Sequence, residues 1–244
     1  MEKKDLLKDV IKHIDIKSYN STELIDAMRN MSFTSRDTAR AADILMMMCK
    51  EKECTNILTL AGSTSAAGCM QVYVDMVRNK MIDVVVATGA SIIDMDLFEA
   101  LGFKHYIGEK ENVIADTTLR DLYIDRIYDT YIDEEELQAC DHTTFEIANM
   151  LEARPYSSRE FIYEIGKWLH EGHAVKKDSL IQTCYECGVP IFVPAFSDSS
   201  AGFGIGKHQW ERMQKGEKYL SIDSVKDFVE LTQIKMQAPE TGLF

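Results

Sequence analysis

The sequence predicts an α/β protein of Rossmann type, in which helices flank a mostly parallel sheet and an N-terminal helical arm comes first. Three short apolar runs predict buried strands, at residues 56–61, 81–87 and 189–193. An amphipathic segment at residues 68–79 separates the first two runs and predicts a helix. A strand, a helix and a second strand in this order imply parallel pairing through a right-handed crossover.

Two regions follow from the pattern along the chain. Residues 1–50 predict the helical arm, in which Ser21 can cap one helix and Thr34 or Ser35 can cap a second. Residues 51–244 predict one α/β domain, because no linker or low-complexity stretch divides them.

Further helices are predicted along this domain. They lie at residues 96–102, 137–151, 157–172, 178–187 and 223–237. The clearest of them begins after Ser157 or Ser158, which can cap it, and ends at Gly172. Residues 103–137 show a looser, tyrosine-rich and acidic pattern. Residues 202–206, GFGIG, do not fit the strand, GxGxxG, helix order, so they are interpreted as a flexible loop.

Composition excludes several classes of function. The 244 residues carry 27 Lys and Arg against 40 Asp and Glu, a net charge of −13, which argues against a nucleic-acid partner. The same charge suits a polyamine or a basic protein, or serves solubility alone. No apolar run is long enough for a bilayer and no signal peptide is visible, so we expect a soluble, cytoplasmic protein with no membrane partner. Six scattered cysteines indicate reduced thiols.

Small and hydroxylated residues end each of the three predicted strands. Ligands of open parallel sheets bind beyond the carboxyl ends of the strands, so we expect these three ends to share one crevice. Small residues let a ligand approach the backbone, amides at a following helix N-terminus could hold a pyrophosphate, and Asp198 could accept hydrogen bonds from a ribose. The alternative is that the small residues only permit tight turns. The candidates are Gly62, Ser63, Thr64, Ser65, Ala66, Thr88, Gly89, Ala90 and Asp198.

Two acids follow the second strand end. Asp94 and Asp96 could hold a cationic amine through charge-assisted hydrogen bonds. They could equally cap the helix that begins near Leu97, and both roles could hold at once.

Three other patterns carry little functional information. Cys184 and Cys187 form a single CxxC without a second pair, and His170 and His173 form HxxH without a further carboxylate at ligand spacing. Each is interpreted as structural. The remaining candidates, His105, His142 and His208, have no motif that assigns a role.

Four blocks of the chain resemble the deoxyhypusine synthase family and its bacterial and archaeal relatives, in order and in spacing. They are TLAGSTSAAG, IDVVVATGASIIDMDLFEALGFKHYIGE, SSREFIYEIGKWL and GVPIFVPAFSDSSAGFGI. The similarity covers roughly residues 20–244. It implies a Rossmann-like fold, bound NAD and a homotetramer with active sites shared across a dimer interface.

The resemblance also implies a chemistry. In the family, NAD oxidises spermidine, an enzyme lysine captures the aminobutyl group as an imine, and the group passes to one lysine of the translation initiation factor 5A precursor. Reduction by the NADH that stays bound completes this first step to hypusine. The first loop, from Gly62 to Ala66, together with Thr88, Gly89, Ala90 and Asp198, matches positions that contact NAD in the family. Asp94, or Asp96 two residues on, falls at an acidic position that contacts cofactor and polyamine.

Two departures from the family pattern bear on activity. The family lysine lies in a Trp-Gly-Lys context that this sequence lacks, since its only tryptophans are Trp168 and Trp210 and Lys235 lies in a helical segment without such a context. Phe203 stands where eukaryotic members carry a polyamine-binding aspartate.

These departures leave three readings open. The first is the cofactor-binding part of a deoxyhypusine-synthase-like enzyme, truncated or encoded as a split chain, that needs a partner for transfer. The second transfers the aminobutyl group to a free polyamine, as in homospermidine synthesis. The third is a non-catalytic paralogue that activates a complete enzyme.

Overall fold

A computed structural model of the protein describes residues 2–109 and 114–244. Met1, within the predicted arm, and residues 110–113, within the loosely patterned stretch, lie outside the described residues. In chain order the strands are β1 (Cys54–Leu60), β2 (Val84–Ala87), β3 (Tyr106–Ile107), β4 (Ile124–Ile127), β5 (Thr130–Asp133), β6 (Pro155–Tyr156), β7 (Ile191–Phe192), β8 (Ser221–Ile222) and β9 (Glu240–Leu243).

Helices surround these strands. They are α1 (Lys3–Leu6), α2 (Thr22–Met28), α3 (Phe33–Lys50), α4 (Met70–Arg78), α5 (Phe98–Ala100), α6 (Asp116–Asp121), α7 (Glu134–Met150), α8 (Ser158–Trp168), α9 (Leu180–Cys187), α10 (Ala201–Gln214) and α11 (Ser224–Gln237). A 3₁₀ turn (Ile16–Ser18) and three π-helical turns (Ser65–Cys69, Ala90–Leu97 and Leu169–His173) complete them. Along the described parts of the chain, no helix combines the length and the apolar character that a bilayer crossing needs.

The central sheet has four parallel strands in the order β7, β2, β1, β9. Strand β2 is apolar and β-branched, as strands buried on both faces tend to be, and its Val85 is fully buried. Helix α9 packs against both α4 and α8, and α3 packs against β1. The predicted fold class, a mostly parallel sheet flanked by helices, is confirmed.

One apolar core joins this sheet to its helices. Val74 of α4, Phe161 of α8 and Leu180 of α9 are all fully buried within it. Burial of side chains of this size contributes about 1.5–3 kcal/mol each. Helix α8 begins as predicted, because Ser157 and Glu160 form a reciprocal cap: Glu160 N donates to Ser157 Oγ (3.0 Å) and Ser157 N to Glu160 Oε2 (2.7 Å).

Strand β9 was not predicted. The sequence Glu-Thr-Gly-Leu shows only a weak alternation of polar and apolar residues. It nevertheless pairs in parallel with β1 along its whole length. Thr59 donates to the Phe244 carbonyl from both its backbone N (2.7 Å) and its hydroxyl (2.9 Å). Gly242 is required here, since a Cβ would overlap the Met48 side chain of α3.

A second, antiparallel sheet occupies much of the loosely patterned stretch. Its order is β3, β5, β4, and a bridge from Val10 to Tyr106 attaches the N-terminal segment to it. Leu6, Leu119 and Tyr131 belong to a separate small apolar cluster beneath it. These strands have two to four residues each, which is too short for an alternating pattern to stand out in the sequence.

The interpretation of residues 202–206 as a flexible loop is wrong. They lie in α10, which packs closely on α7. Gly204 is buried, and a Cβ there would overlap the Thr144 hydroxyl and the Asp141 carbonyl of α7. Gly204 therefore permits close packing of α10 on α7 rather than flexibility.

The predicted arm contains α1, α2 and α3. Helix α2 follows Ser21 as predicted, whereas α3 begins after Ser32 rather than after Thr34 or Ser35. Between α1 and the 3₁₀ turn the chain is extended, with Ile11 N bonded to His105 O (2.9 Å) and Ile14 N to Gly68 O (2.9 Å).

Candidate functional site

The three predicted strand ends lie together at the carboxyl edge of the central sheet. Thr88 N donates to Leu60 O (3.1 Å), and Ser91 Oγ donates to Gly62 O (3.0 Å), so the first two loops are hydrogen-bonded to each other. Ser199 packs so closely on Gly89 that a Cβ there would overlap it. The third loop therefore packs against the second, and the three ends form one crevice.

The first loop presents a sharp turn and a buried hydroxyl. Gly62 has a φ of 71°, a conformation that favours glycine, and the space beyond its Cα is open. Ser65 Oγ is buried and has no hydrogen-bond partner among the described residues. Thr64 Oγ1 accepts from Tyr73 OH (2.8 Å). Ala66 is buried below the turn. An orphaned hydroxyl beside an open turn fits a bound polar ligand such as NAD.

The amide at the start of α4 is already used. Met70 N donates to His13 Nδ1 (3.2 Å), and Cys69 N donates to Thr64 O (3.1 Å). A pyrophosphate in this crevice would therefore meet the earlier turn around Ser63 rather than the first amide of α4. The sequence suggested instead that amides at the N-terminus of the following helix hold the pyrophosphate. In the structure, His13 from the distant N-terminal segment caps that helix.

The second and third loops carry the remaining candidates, of which Thr88 and Asp198 are exposed and Gly89 is buried. Thr88 is exposed, and its Oγ1 lies 3.0 Å from Ser91 Oγ. Ala90 opens the π-helical turn that follows Gly89. Asp198 is exposed at the end of the third loop, where Asp198 N donates to Ala195 O (3.0 Å). Its carboxylate is accessible to a ligand.

Asp94 lies where the second and third loops meet. Its Oδ1 accepts from Ser200 N (3.1 Å) and from Ser200 Oγ (2.7 Å). Burial raises the pKa of Asp94, and the two bonds from Ser200 oppose that rise. Burial likewise raises the pKa of nearby Asp141, to about 6. The negative charges of Asp94 and Glu134 raise this pKa further, whereas a hydrogen bond from Ser200 lowers it.

A groove of about 370 Å³ opens beside these acids. Helix α7 lines it with Glu134, Asp141 and Phe145, and α10 lines it with Phe203 and Lys207. Asp141 Oδ1 is buried and unpartnered among the described residues. Lys207 Nζ already lies 4.6 Å from the Phe145 ring centroid, whereas the Phe203 ring is exposed. Carboxylates together with an open aromatic face suit an amine cation. The sequence did not single out Asp141 or Ser200, because no local pattern links them to Asp94.

The structure places Asp96 apart from this cluster. It is fully buried, and its two oxygens accept from Leu180 N (2.8 Å) and Ile181 N (2.7 Å). Asp96 thus binds the first amides of α9, not those of the helix near Leu97. Both carboxylate oxygens are occupied, so only Asp94 of the two acids faces the crevice.

The CxxC and HxxH residues lie elsewhere. Cys184 is buried while Cys187 is exposed, and both are free thiols. His170 Nδ1 lies 3.1 Å from Glu186 Oε1, and the His173 ring stacks on Trp168 at 4.2 Å. Over residues 2–109 and 114–244, no group of three or more His, Cys, Asp or Glu is arranged to hold a metal ion.

The other three histidines have structural partners. His208 Nδ1 lies 2.8 Å from Asn149 Oδ1, and Leu220 N donates to His208 Nε2 (3.0 Å). His105 pairs with Glu99 at 2.8 Å, and His142 pairs with Glu146 at 3.4 Å.

Comparison with known proteins points to one family. The family model described as deoxyhypusine synthase matches residues 23–244. A deoxyhypusine synthase-like protein of Caulobacter vibrioides is 65% identical over 243 residues, which are 100% of this chain and 66% of the relative. One from Chlorobaculum tepidum is 52% identical over 244 residues, covering 100% of this chain and 68% of the relative. The chain thus spans about two thirds of these relatives' length.

A solved structure supports the fold. A crystal structure described as that of a deoxyhypusine synthase from Entamoeba histolytica superposes with a TM-score of 0.64. Its sequence is 20% identical, and the match covers 96% of this chain and 80% of that one.

Proposed function

Because the chain belongs to the deoxyhypusine synthase family, we propose that it takes part in NAD-dependent transfer of the aminobutyl group of spermidine to a lysine of the translation initiation factor 5A precursor. The chain contributes the cofactor crevice and part of the amine site. The reacting lysine comes from a partner or from a segment that this sequence does not contain, since no Trp-Gly-Lys context is present. A homotetramer, or a complementing chain, supplies the remainder of the site.

The convergence of the three strand ends is the observation that carries this proposal. Gly62, Ser63, Thr64, Ser65, Ala66, Thr88, Gly89, Ala90 and Asp198 would hold the cofactor. Bound NAD would accept a hydride from the carbon beside the spermidine amine. The orphaned Ser65 hydroxyl would donate to the cofactor, and the exposed Asp198 carboxylate would accept from a ribose hydroxyl.

The acidic groove supports a polyamine as the amine substrate. Glu134, Asp141 and the exposed ring of Phe203 line it, and the charge of Asp94 acts on Asp141. Phe203 stands where eukaryotic members of the family carry a polyamine-binding aspartate. The carboxylates of α7 would provide the negative charge that this aspartate provides there. The role of Asp96 as a second substrate ligand is not retained, because its oxygens bind α9.

Cofactor binding is tested with matched hydroxyl deletions. Ser65 and Thr183 each carry a buried hydroxyl without a partner among the described residues, but Thr183 lies in α9, away from the loops of the crevice. We expect Ser65→Ala to weaken NAD binding roughly tenfold, since one lost hydrogen bond costs about 1.4 kcal/mol. Thr183→Val should leave the dissociation constant unchanged. Calorimetric titration measures both, and equal NAD affinity in wild type and Ser65→Ala would contradict this site.

Activity is tested by incubating the purified chain with NAD and labelled spermidine, with and without the factor 5A precursor. A second series adds the Caulobacter vibrioides relative rendered inactive in its own NAD site. We expect NADH formation and protein labelling only in the second series. Asp94→Asn should weaken spermidine binding and leave NAD binding intact. Failure of NAD binding and of labelling in every mixture would sink the proposal.

Two alternatives give different outcomes in this assay or in a third series that adds the intact relative. Phe203 in the amine groove favours a free polyamine as acceptor, in which case NADH turnover appears without protein labelling. The missing lysine context favours a non-catalytic paralogue, in which case the chain raises the activity of an intact relative without binding NAD itself.

A further inference from the structure

We infer that Lys207 limits the amine groove to a single ligand ammonium group, and so determines how a polyamine binds. The inference rests on the proposed function, because it concerns the same groove between α7 and α10. Any ammonium inside the groove lies near the ammonium of Lys207 and is repelled by it. A polyamine therefore places one terminal amine in the groove and leaves its other amines outside.

Lys207 brings a positive charge into a groove with acidic walls. It lies on α10 and lines the groove together with Glu134 and Asp141 of α7. Over residues 2–109 and 114–244, neither carboxylate forms an ion pair with it. Its Nζ lies instead 4.6 Å from the centroid of the Phe145 ring. Both carboxylates are therefore left for a ligand, while the lysine cancels part of their charge.

The Phe145 ring is already covered. Its side chain belongs to a residue that is only 7% exposed, and the His142 ring stacks on it with the centroids 5.4 Å apart. Lys207 occupies the position over this ring that a ligand cation would favour. The aromatic face that remains for a ligand is that of Phe203, which is 76% exposed.

Phe203 and Lys207 are neighbours on one face of α10. They are separated by four residues, a spacing that places side chains side by side on a helix, and both are exposed. An ammonium over the Phe203 ring therefore lies close to the Lys207 ammonium, and the two like charges repel each other.

The charges that line the groove balance for one ligand ammonium. The carboxylates of Glu134 and Asp141 carry two negative charges, which Lys207 and one ligand ammonium together neutralise. The Asp94 carboxylate accepts from Ser200 and does not itself line the groove. A second ligand ammonium would thus enter without a carboxylate to balance it, and its desolvation would not be compensated.

The test compares amines that carry one, two and three charges. Calorimetric titration measures the binding of butylamine, putrescine and spermidine at pH 8, where Asp141, with a pKa of about 6, is ionised. Lys207→Met removes the charge and keeps a side chain that can still cover the Phe145 ring. We expect this variant to bind spermidine roughly tenfold more tightly and butylamine no more than about threefold more tightly, with putrescine between them.

Two further variants separate local charge from other causes. Lys215→Met, at an exposed lysine that ends α10 away from the groove, changes the net charge of the protein equally and should leave all three affinities unchanged. Lys207→Arg keeps the charge and should keep the wild-type ratio of spermidine to butylamine affinity. The gain in Lys207→Met should also fall by at least about half in 0.5 M salt, because salt screens charges but does not alter packing.

Each outcome decides the role of Lys207. An unchanged ratio in Lys207→Met, with thermal unfolding as in the wild type, overturns the inference and leaves the lysine as packing for Phe145. A ratio that rises equally in Lys215→Met assigns the effect to net charge and also overturns it. If wild type and variants bind none of the three amines, the amine groove of the proposed function fails as well, whereas NAD titration reports on the cofactor crevice separately.

Discussion

Two acids separated by one residue have different environments in this protein. Asp94 faces the meeting point of two loops and binds Ser200, whereas Asp96 turns into the core and binds the start of α9. Their local sequence, Ile-Asp-Met-Asp, does not distinguish them, because the π-helical turn sets which side each carboxylate faces. The assignment of roles therefore depends on the α9 amides, which lie more than 80 residues away in the sequence.

Asp96→Asn should lower the free energy of unfolding by about 1–3 kcal/mol at pH 5, because an amide oxygen can accept from only one of the two α9 amides. Burial raises the pKa of Asp96 to about 6, and the bonds from Ile181 and Leu180 oppose it. A raised folded-state pKa means that the wild type loses stability as the pH rises from about 4 to 6. The difference in free energy of unfolding between the wild type and the variant should therefore become smaller from pH 4 to pH 7.

Urea denaturation at several pH values measures this deficit. Asp37→Asn, at an exposed aspartate of α3, serves as the control and should change stability by less than about 0.5 kcal/mol. A variant as stable as the wild type at pH 5 would show that Asp96 is dispensable for α9.

At the scale of elements, α10 shows how packing can override a local pattern. Three glycines in five residues disfavour a helix by propensity. The close contact with α7 compensates, because Gly204 lets the two backbones come together, while Gly202 packs against the backbone of Ser197 in the preceding loop. The same contact brings Asp141 and Phe203 into the lining of one groove.

Substitutions at two of these glycines should have opposite effects. Gly204→Ala adds a Cβ that overlaps backbone and side-chain atoms of α7, so we expect destabilisation by roughly 1–3 kcal/mol. Gly206→Ala adds a Cβ with no atom within 4 Å in the same helix, so we expect stabilisation by about 0.5–1 kcal/mol. Thermal unfolding of the two variants measures the contrast, and a stabilised Gly204→Ala would contradict the packing described for α10.

The N-terminal segment is held by one buried acid. Glu99 accepts from His13 Nε2 (2.6 Å), pairs with His105 (2.8 Å) and forms an ion pair with Lys176. Burial raises the pKa of Glu99, but the bonds from His105 and His13 and the charge of Lys176 outweigh it, so the pKa lies well below its usual range. His13 also binds Met70 N, so it links this acid to the first loop of the crevice.

His13→Ala should release this segment, because it removes the bonds to Glu99 and Met70 together. Limited trypsin digestion at Lys12 and Lys17 should accelerate at least about fivefold. Lys4→Ala breaks only an exposed ion pair with Glu2 and is the control, expected to digest at the wild-type rate. Unchanged cleavage in His13→Ala would mean that backbone bonds alone hold the segment.

At the scale of the molecule, negative charge dominates. The net charge is −13, and burial raises the pKa values of several carboxyls, among them Asp96 and Asp141, each to about 6, and Asp125, to about 7. The pKa of Glu160 is lowered instead. Burial alone would raise it, but hydrogen bonds from the Ser157 amide, Lys226 and Arg154 lower it to about 2. These opposed shifts define a pH window for stability.

We expect the protein to be more stable near pH 5 than near pH 8. Carboxyls with raised folded-state pKa values take up protons more readily in the folded chain, so their contribution is complete at low pH and is lost as the pH rises through 6 to 7. Glu160, whose pKa is depressed, contributes stability above its unfolded value and loses it only as the pH falls below about 4.5. Unfolding midpoints in urea from pH 4.5 to 8.5 measure the trend, and a maximum above pH 7 would contradict it.

The sequence by itself determined the parallel fold class, the helices with caps, and the small residues at three strand ends, because each depends on periodicity or on neighbours a few residues apart. Only the tertiary structure decided that β9 completes the described sheet, that α10 is a helix, and that Asp94 rather than Asp96 faces the crevice. The first of these depends on pairing with β1, the second on packing against α7, and the third on the amides of α9. Each partner is distant in sequence, so its contribution to the free energy has no local signature.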